Sequence, residues 1–320
     1  MGGARLWALA IAMIASAAYG QDYPSKPITL VNPYAAGGPA DLLARTVAAG
    51  MNDLLGQQVV ILNKPGGATA IGAAFVAAAA PDGYTLLIAG ASSHIVTPVL
   101  SKVTYDGIKD FAPVAMVANV PNVLVVRASL PVKSVPELVA LAKSRPAALN
   151  YGSVGNGSQP HLAAEMFKQM AGVNFTHIPY KGAAPAITDL LAEQFDLAFL
   201  NAPPLLQHIQ SGKLTALAVT TLKRARQLAD VPTLDELGLR GFDVATWYGI
   251  TAPAATPKPV VDRLHAELKA VMAQPDTRAQ IEKIGLVPVE TGSPAELQRF
   301  IESEIARWGK VVEKSGASVE

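Results

Sequence analysis

Apolar runs of strand length alternate with amphipathic stretches of helical length along the chain, and the same order occurs twice. In segments 28–94 and 149–212, a strand leads into a loop of small residues and then into a helix. The first strand, ITLVNPY, is followed by Gly37 and Gly38 and then by a helix expected from about Pro39 to Leu55. Strands that alternate with helices predict right-handed crossovers and largely parallel sheets, hence an α/β architecture.

The loops expected at the carboxyl ends of the strands are all rich in Gly, Ala, Ser, Thr or Asn. They are residues 36–41, 66–72, 90–94, 152–158, 180–185 and 200–204. Ligands of α/β sheets bind outside these strand ends, and a glycine loop before a helix leaves backbone N–H groups open to an anion. An ordinary tight turn is the alternative at Gly37 and Gly38. If the two units face each other through these loops, they form a binding cleft for a small polar, anionic molecule.

Two further apolar runs set the limits of the units. ANVPNVLVV (118–126) is expected to cross out of the first unit, and FDVATWYGITAP (242–253) to cross back. This assigns residues 21–120 and 248–320 to a first lobe and residues 121–247 to a second lobe. Ser-x-x-Glu or Thr-x-x-Glu capping signals begin at Ser134, Thr233 and Ser293, and they predict helix starts, including a helical C-terminal third.

The first twenty residues have the composition of a secretory signal peptide. Arg5 is their only charge, the run LWALAIAMIASAA is apolar, and Ala18 and Gly20 fit a cleavage site before Gln21. The run is short for a membrane span, and the chain has no cysteine for a lipid anchor or disulfide. The sequence therefore predicts a soluble exported protein in the periplasm.

Charge and catalytic motifs narrow the function classes. The chain has 26 basic and 25 acidic residues, and loss of the signal peptide leaves equal numbers, so a nucleic-acid partner is not expected. The five histidines show no metal-ligand spacing, and no nucleophile elbow or phosphate loop occurs. A secreted hydrolase that pairs Ser93 with His94, or Ser158 with His161, is the alternative from another class.

Six blocks of sequence carry a family resemblance. YPSKPITLVNPYAAGGPAD, PDGYTLLIAG, VPNVLVVRASLPVKSVPELVALAK, LNYGSVGNGSQPHLAAEMFKQMAG, HIPYKGAAPAITDLL and GKLTALAVT resemble, in this order, the solute-binding receptors of tripartite tricarboxylate transporters, the Bug family of periplasmic binding proteins. The resemblance implies a type II periplasmic-binding-protein fold, in which two α/β lobes joined by two crossing strands close on one small carboxylate.

The same resemblance implies how the protein works. It would act as a monomer without cofactor, metal or catalysis, and it would pass an aliphatic or aromatic mono- or dicarboxylate to a membrane permease. A receptor that reports to a membrane sensor is the alternative within this class. Carried over by position, the ligand-binding residues are Tyr34, Ala36, Gly37, Gly38, Asp41, Ala68, Thr69, Ser92, Ser93, Ser153, Asn156, Gly157, Ser158 and Asn201.

Some of these residues have a second interpretation. Asp41 also fits a helix-start carboxylate, and Ser158 also fits a helix N-cap. Thr69 stands in a loop where the family commonly has asparagine. Asn201 stands where many relatives carry an acidic residue, and its uncharged amide favours a dianionic ligand. Trp247 and Tyr248 follow the returning strand, where they would pack on the hinge or close one side of the site, and core packing is favoured for Trp247.

Overall fold

The computed structural model describes residues 23–145 and 148–315, and the expected signal peptide lies outside them. The strands are β1 (Ile28–Asn32), β2 (Val59–Asn63), β3 (Thr85–Gly90), β4 (Phe111–Arg127), β5 (Asn150–Ser153), β6 (Thr176–Pro179), β7 (Leu197–Asn201), β8 (Leu214–Val219), β9 (Ala245–Pro253) and β10 (Val287–Pro288). The α-helices are α1 (Pro39–Leu55), α2 (Ala70–Ala77), α3 (Thr97–Leu100), α4 (Val135–Ser144), α5 (Gln159–Ala171), α6 (Ala183–Leu191), α7 (Leu206–Gln210), α8 (Lys258–Ala273), α9 (Pro275–Lys283) and α10 (Pro294–Ser315).

The strands form one mixed sheet in the order β2-β1-β3-β9-β4-β7-β5-β6, with β8 and β10 paired to β4. Three strands of each lobe are parallel: β1 with β2 and β3, and β5 with β6 and β7. The long strands β4 and β9 pair antiparallel with their neighbours. The α/β class predicted from the sequence is confirmed, but the sheet is mixed rather than largely parallel because the strands that join the lobes run against them.

The two crossing strands lie side by side at the centre of the sheet. Their pairing runs from Phe111 opposite Pro253 to Pro121 opposite Ala245. Strand β4 begins earlier than the predicted residue 118 and contains Pro113 and Pro121, whereas β9 begins later than the predicted residue 242. Prolines usually interrupt ladders, and the register of β4 with β9 shifts just after Pro113. This is why the sequence understated the length of β4.

Glycines and caps fix several helix ends as the sequence predicts. Helix α1 spans Pro39–Leu55 and ends at Gly56, which has a left-handed φ of 62°. The Ser134 hydroxyl accepts a hydrogen bond from the Glu137 N–H at the start of α4. At Thr233 the capping box is complete, because the Thr233 N–H donates to the Glu236 carboxylate and the Glu236 N–H donates to the Thr233 hydroxyl. Only turns follow, so the predicted helix start at Thr233 is wrong. Gly238 (φ 98°) comes too soon afterwards for a helix to propagate.

The C-terminal helix joins the hydrophobic cores of both lobes. Its residues Leu297, Ile301 and Trp308 belong to one buried cluster with Ile95 from the first lobe and Phe167 from the second. Because this helix packs on both lobes, the contacts do not define a lobe boundary, and the predicted division of the lobes at residues 120/121 and 247/248 stays a prediction. In the part of the chain that the structure describes, no helix has both the length and the apolar character needed to cross a membrane.

Candidate functional site

A cavity of about 450 Å³ lies between the two lobes, at the carboxyl ends of their parallel strands. The first lobe contributes loops that precede α1, α2 and α3, the second lobe those that precede α5 and α6, and β9 closes one side. Its lining residues are Tyr34, Ala35, Gly38, Pro39, Ala40, Ala68, Thr69, Ala91, Ser92, Val96, Thr97, Val154, Asn156, Gly157, Ser158, Gln159, Pro160, Gly182, Ala183, Asn201, Thr246, Trp247 and Tyr248.

Four helices of eight or more residues begin at the wall of this cavity. Their N-cap residues Gly38 (α1), Thr69 (α2), Ser158 (α5) and Gly182 (α6) all line it. Only Ser158 makes a side-chain capping bond, since its hydroxyl accepts the His161 N–H. The first N–H groups of a helix have no partner within the helix and carry its positive dipole end. The cavity thus receives backbone donors from both lobes.

Asp41 fixes the first glycine loop from behind. Its carboxylate accepts the Gly37 N–H at 2.9 Å and two guanidinium N–H groups of Arg45 at 3.0 and 3.2 Å. The Arg45 guanidinium holds the pKa of Asp41 below its usual range, so the carboxylate is charged. Asp41 is 2% exposed and does not line the cavity. It holds Gly37, whose φ of 77° suits glycine, in place.

The second loop of the first lobe has a strained backbone. Ala68 (φ 49°) and Thr69 (φ 82°) both lie in the left-handed region, which non-glycine residues rarely adopt. The Thr97 hydroxyl donates to the Ala68 carbonyl at 2.6 Å and ties this loop to α3. Backbone strain of this kind persists only when its surroundings hold it, and it is concentrated at ligand sites.

Two tyrosines form the apolar part of the wall. The rings of Tyr34 and Tyr248 meet edge to face with their centroids 6.1 Å apart. Burial raises the pKa of Tyr248 to about 12 and raises that of Tyr34 further, so both hydroxyls stay protonated. Gly90 makes room for Tyr34, because a Cβ there would lie 2.6 Å from the Tyr34 hydroxyl oxygen.

The glycine-serine loop of the second lobe is held by two stacked histidines. The Gly157 N–H donates to His161 Nδ1 at 3.0 Å, and the Ser153 hydroxyl contacts His177 Nε2 at 2.7 Å. The two imidazole rings stack with centroids 4.2 Å apart. Burial lowers the pKa of both histidines, to about 3 for His177, and so keeps Nδ1 of His161 free to accept. The pair supports the loop that carries Asn156, Gly157 and Ser158.

Asn201 joins the site to the crossing strands. Its amide contacts Asn122 Oδ1 at 3.0 Å and the Thr246 hydroxyl at 3.1 Å, which links β7, β4 and the start of β9. Asn201 therefore ties the wall of the cavity to both crossing strands.

The wall of the cavity carries no ionised side chain. Among the described residues that line it, none is Lys, Arg, His, Asp or Glu. The described residues also contain no group of three or more His, Cys, Asp or Glu placed to hold a metal ion. An anion here would be held by helix N-termini, hydroxyls, amides and the indole N–H.

The structure brings nine of the expected site residues together at the cavity and leaves the other five outside its lining. Lining it are Tyr34, Gly38, Ala68, Thr69, Ser92, Asn156, Gly157, Ser158 and Asn201. Outside the lining are Ala36, Gly37, Asp41, Ser93 and Ser153. Ser93 is fully buried, where its hydroxyl contacts the N–H and carbonyl of Gly90. The cavity is also lined by Thr97, Gln159 and Thr246, which no sequence motif marks.

Trp247 lies in both the core and the site. It is 2% exposed and part of the buried cluster that includes Trp308, yet it also lines the cavity. Its indole Nε1 has no hydrogen-bond partner among the described residues. Its position directly after Thr246 at the start of the returning strand was the available signal.

Two other depressions differ from this cavity in chemistry. A groove of about 790 Å³ lies against the outer side of the lobe junction, where Lys223, Arg226 and Lys283 contribute side chains. A depression of about 540 Å³ near Asp106 and Asp110 is formed mainly by residues 94–110. Neither is lined by the residues that cap α1, α2, α5 and α6, so the smaller cavity is the candidate site.

Comparison with known proteins gives one consistent result. A family model described as "Tripartite tricarboxylate transporter family receptor" matches residues 43–317. Protein BugT of Bordetella pertussis is 34% identical over 314 residues, which cover 98% of this chain and 96% of BugT.

Solved structures agree with this match. R. palustris Rpa4515 with adipate has a TM-score of 0.80 and 39% identity, covering 93% of this chain and 99% of that one. Periplasmic binding protein BugD has a TM-score of 0.77 and 38% identity, covering 93% and 100%. MatC from Rhodopseudomonas palustris with bound malate has a TM-score of 0.77 and 32% identity, covering 91% and 100%.

Proposed function

Because this chain belongs to the tripartite tricarboxylate transporter receptor family, we propose that it is a periplasmic solute-binding protein. It captures a small mono- or dicarboxylate by lobe closure and delivers it to a tripartite tricarboxylate-type membrane transporter. The observation that carries the proposal is the uncharged cavity at which α1, α2, α5 and α6 all begin.

The helix starts supply enough attraction without a cationic side chain. A helix N-terminus favours an anion by about 0.3 to 1 kcal/mol at an exposed site and by up to about 2 kcal/mol when partly buried. Four such termini at the upper value give about 8 kcal/mol, which corresponds to about micromolar affinity. The hydroxyls, amides and apolar wall of the cavity would have to offset the cost of ordering on binding. Backbone donors bind any carboxylate, so the shape of the cavity must select among acids.

The similar structures support the ligand class. Adipate and malate, present in two of them, are both aliphatic dicarboxylates. In this protein, helix starts on opposite lobes each offer a place for one carboxylate. Tyr34 and Tyr248 would lie beside the carbon chain that joins the two carboxylates of the ligand. This arrangement favours a ligand with a carboxylate at each end.

The serine-histidine geometry supports binding without chemistry. The Ser93 hydroxyl contacts His94 Nδ1 at 2.9 Å, but the two residues are 0% and 1% exposed. No described residue pairs with His94 Nε2, and burial lowers the pKa of His94 to about 3. A histidine base needs an orienting partner and a pKa near the working pH. Ser158 instead donates to the Gly155 carbonyl as it caps α5.

A thermal-shift screen of residues 21–320 tests the proposal. The panel holds carboxylic acids, with amino acids, sugars and a neutral amide as controls. Ligand at about a hundred times its Kd should stabilise the fold by about 2.7 kcal/mol, which raises the Tm by several degrees. We expect shifts with carboxylates alone and recovery of the ligand unchanged. Turnover of an ester or amide, or shifts with sugars alone, would contradict the proposal. The screen is repeated after unfolding and refolding, so that a ligand carried through purification does not mask binding.

A further inference from the structure

The amide of Gln159 is buried without partners in the wall of the proposed carboxylate cavity. Gln159 is the first residue of α5, it lines the cavity, and it is 4% exposed. Neither Oε1 nor Nε2 has a hydrogen-bond partner among the described residues. Buried polar groups in folded proteins are almost always hydrogen-bonded, and one left unpaired is destabilising. Such an amide beside a ligand cavity is a group that a ligand would satisfy.

The other buried side-chain atoms of the wall that lack a partner either donate hydrogen bonds or can turn to donate them. The helix starts and the unpartnered Trp247 Nε1 can only donate hydrogen bonds, and the unpartnered Thr69 hydroxyl can turn to donate. Carboxylate oxygens can only accept, and they match these donors. Gln159 differs because one end of its amide must accept, whichever way the amide is turned. A plain carboxylate ligand leaves that acceptor unpaired.

We infer that the ligand carries a hydrogen-bond donor, a hydroxyl or amide N–H, in addition to its carboxylate, and that Gln159 recognises it. The side chain of Gln159 has three rotatable bonds, which let its amide turn from the wall towards the ligand. The inference rests on the proposed function, because it assigns the polar substituent of the same carboxylate ligand. The site thus selects hydroxy or amido acids over unsubstituted acids of equal length.

Matched pairs of acids test this selection by titration calorimetry on residues 21–320. The pairs are malate with succinate, and 2-hydroxyglutarate with glutarate, so each pair differs by one hydroxyl. An unpaired buried acceptor costs enough that the hydroxy acid should bind about tenfold more tightly in at least one pair. Gln159→Met keeps the length of the side chain and removes its amide. The control is Gln58→Met, the same change at an exposed position.

The outcomes separate this inference from the proposed function. We expect Gln159→Met to bring the ratio of Kd values within a pair close to one, and Gln58→Met to leave it unchanged. Equal binding of both acids by the native protein, or a preference that persists in Gln159→Met, would overturn the inference while leaving carboxylate binding in place. If the variant does not fold, the ratio in the native protein still decides. If neither acid binds and no other carboxylate does, the proposed function itself fails.

Discussion

A carboxylate added at the start of α6 should oppose ligand binding while leaving the fold intact. Ala183 is the first residue of α6, is partly exposed and lines the cavity. Its N-cap, Gly182, makes no side-chain capping bond. Ala183→Asp therefore places a negative charge where the helix dipole favours it, which should keep or raise stability by up to about 1 kcal/mol. The same charge would face the anion that we propose the cavity binds.

The size of the cavity sets the magnitude of this repulsion. A sphere of 450 Å³ has a radius of about 5 Å, so the new carboxylate and a bound anion would lie about 5 to 10 Å apart. At an effective dielectric constant of about 20, two like charges at these distances repel by about 1.7 to 3.3 kcal/mol. This corresponds to a loss of affinity of roughly 20- to 250-fold.

Titration calorimetry with the best carboxylate of the screen measures this loss. Ala183→Asn is the matched control, since it has nearly the same shape and no charge, and it should lose much less affinity than Ala183→Asp. Urea unfolding of both variants checks that the fold is unchanged. If Asp and Asn at this position weaken binding equally, or if Asp has no effect, then the charge of the ligand is not held by this helix start and the reasoning is wrong.

Three further predictions concern the support of the site. Gly90→Ala should destabilise the fold by about 1 to 3 kcal/mol in urea and weaken ligand binding, because the new Cβ would lie 2.6 Å from the Tyr34 hydroxyl oxygen; unchanged binding would contradict this. Asp41→Asn should lower the free energy of unfolding by about 1 kcal/mol and weaken ligand binding, because Gly37 is held less firmly. The loss of stability stays small because Arg45, the other partner of Asp41, is exposed to solvent. Burial lowers the pKa of His94 from 6.5 to about 3, so between these pH values the unfolded chain binds a proton that the folded protein does not. The contribution of His94 to stability is therefore complete above pH 6.5 and is lost as the pH falls towards 3. The free energy of unfolding should fall by about 2 kcal/mol between pH 7 and pH 5 because of this group. His94→Leu should remove that part of the pH dependence, as measured by urea unfolding at both pH values.

The repeated strand-loop-helix pattern was enough to predict the fold class and the position of the cavity. Periodicity, glycine stops and caps gave α1 and the α/β class, and the family resemblance is confirmed by the match over residues 43–317. The pairing of β4 with β9 could not be read in this way, because antiparallel crossing strands leave no local signal in the sequence.

The sequence predicted loops of small polar residues at the carboxyl ends of the strands, but not which of these residues would face the cavity. Ser92 lines the cavity while its neighbour Ser93 turns inward to Gly90. Ser153 likewise turns to His177, which is distant in sequence. Gln159 carries no sequence signal, because only the folded structure shows that its buried amide has no partner among the described residues. These orientations depend on tertiary neighbours, which a single sequence does not show.

A crystal structure of the chain with its best carboxylate ligand tests most directly how the anion is held. We expect the carboxylate oxygens within hydrogen-bond distance of backbone N–H groups at the starts of α1, α2, α5 or α6, with no Lys, Arg or His side chain in contact. A carboxylate bound instead by Lys223, Arg226 or Lys283 in the outer groove would contradict recognition by helix starts in an uncharged cavity.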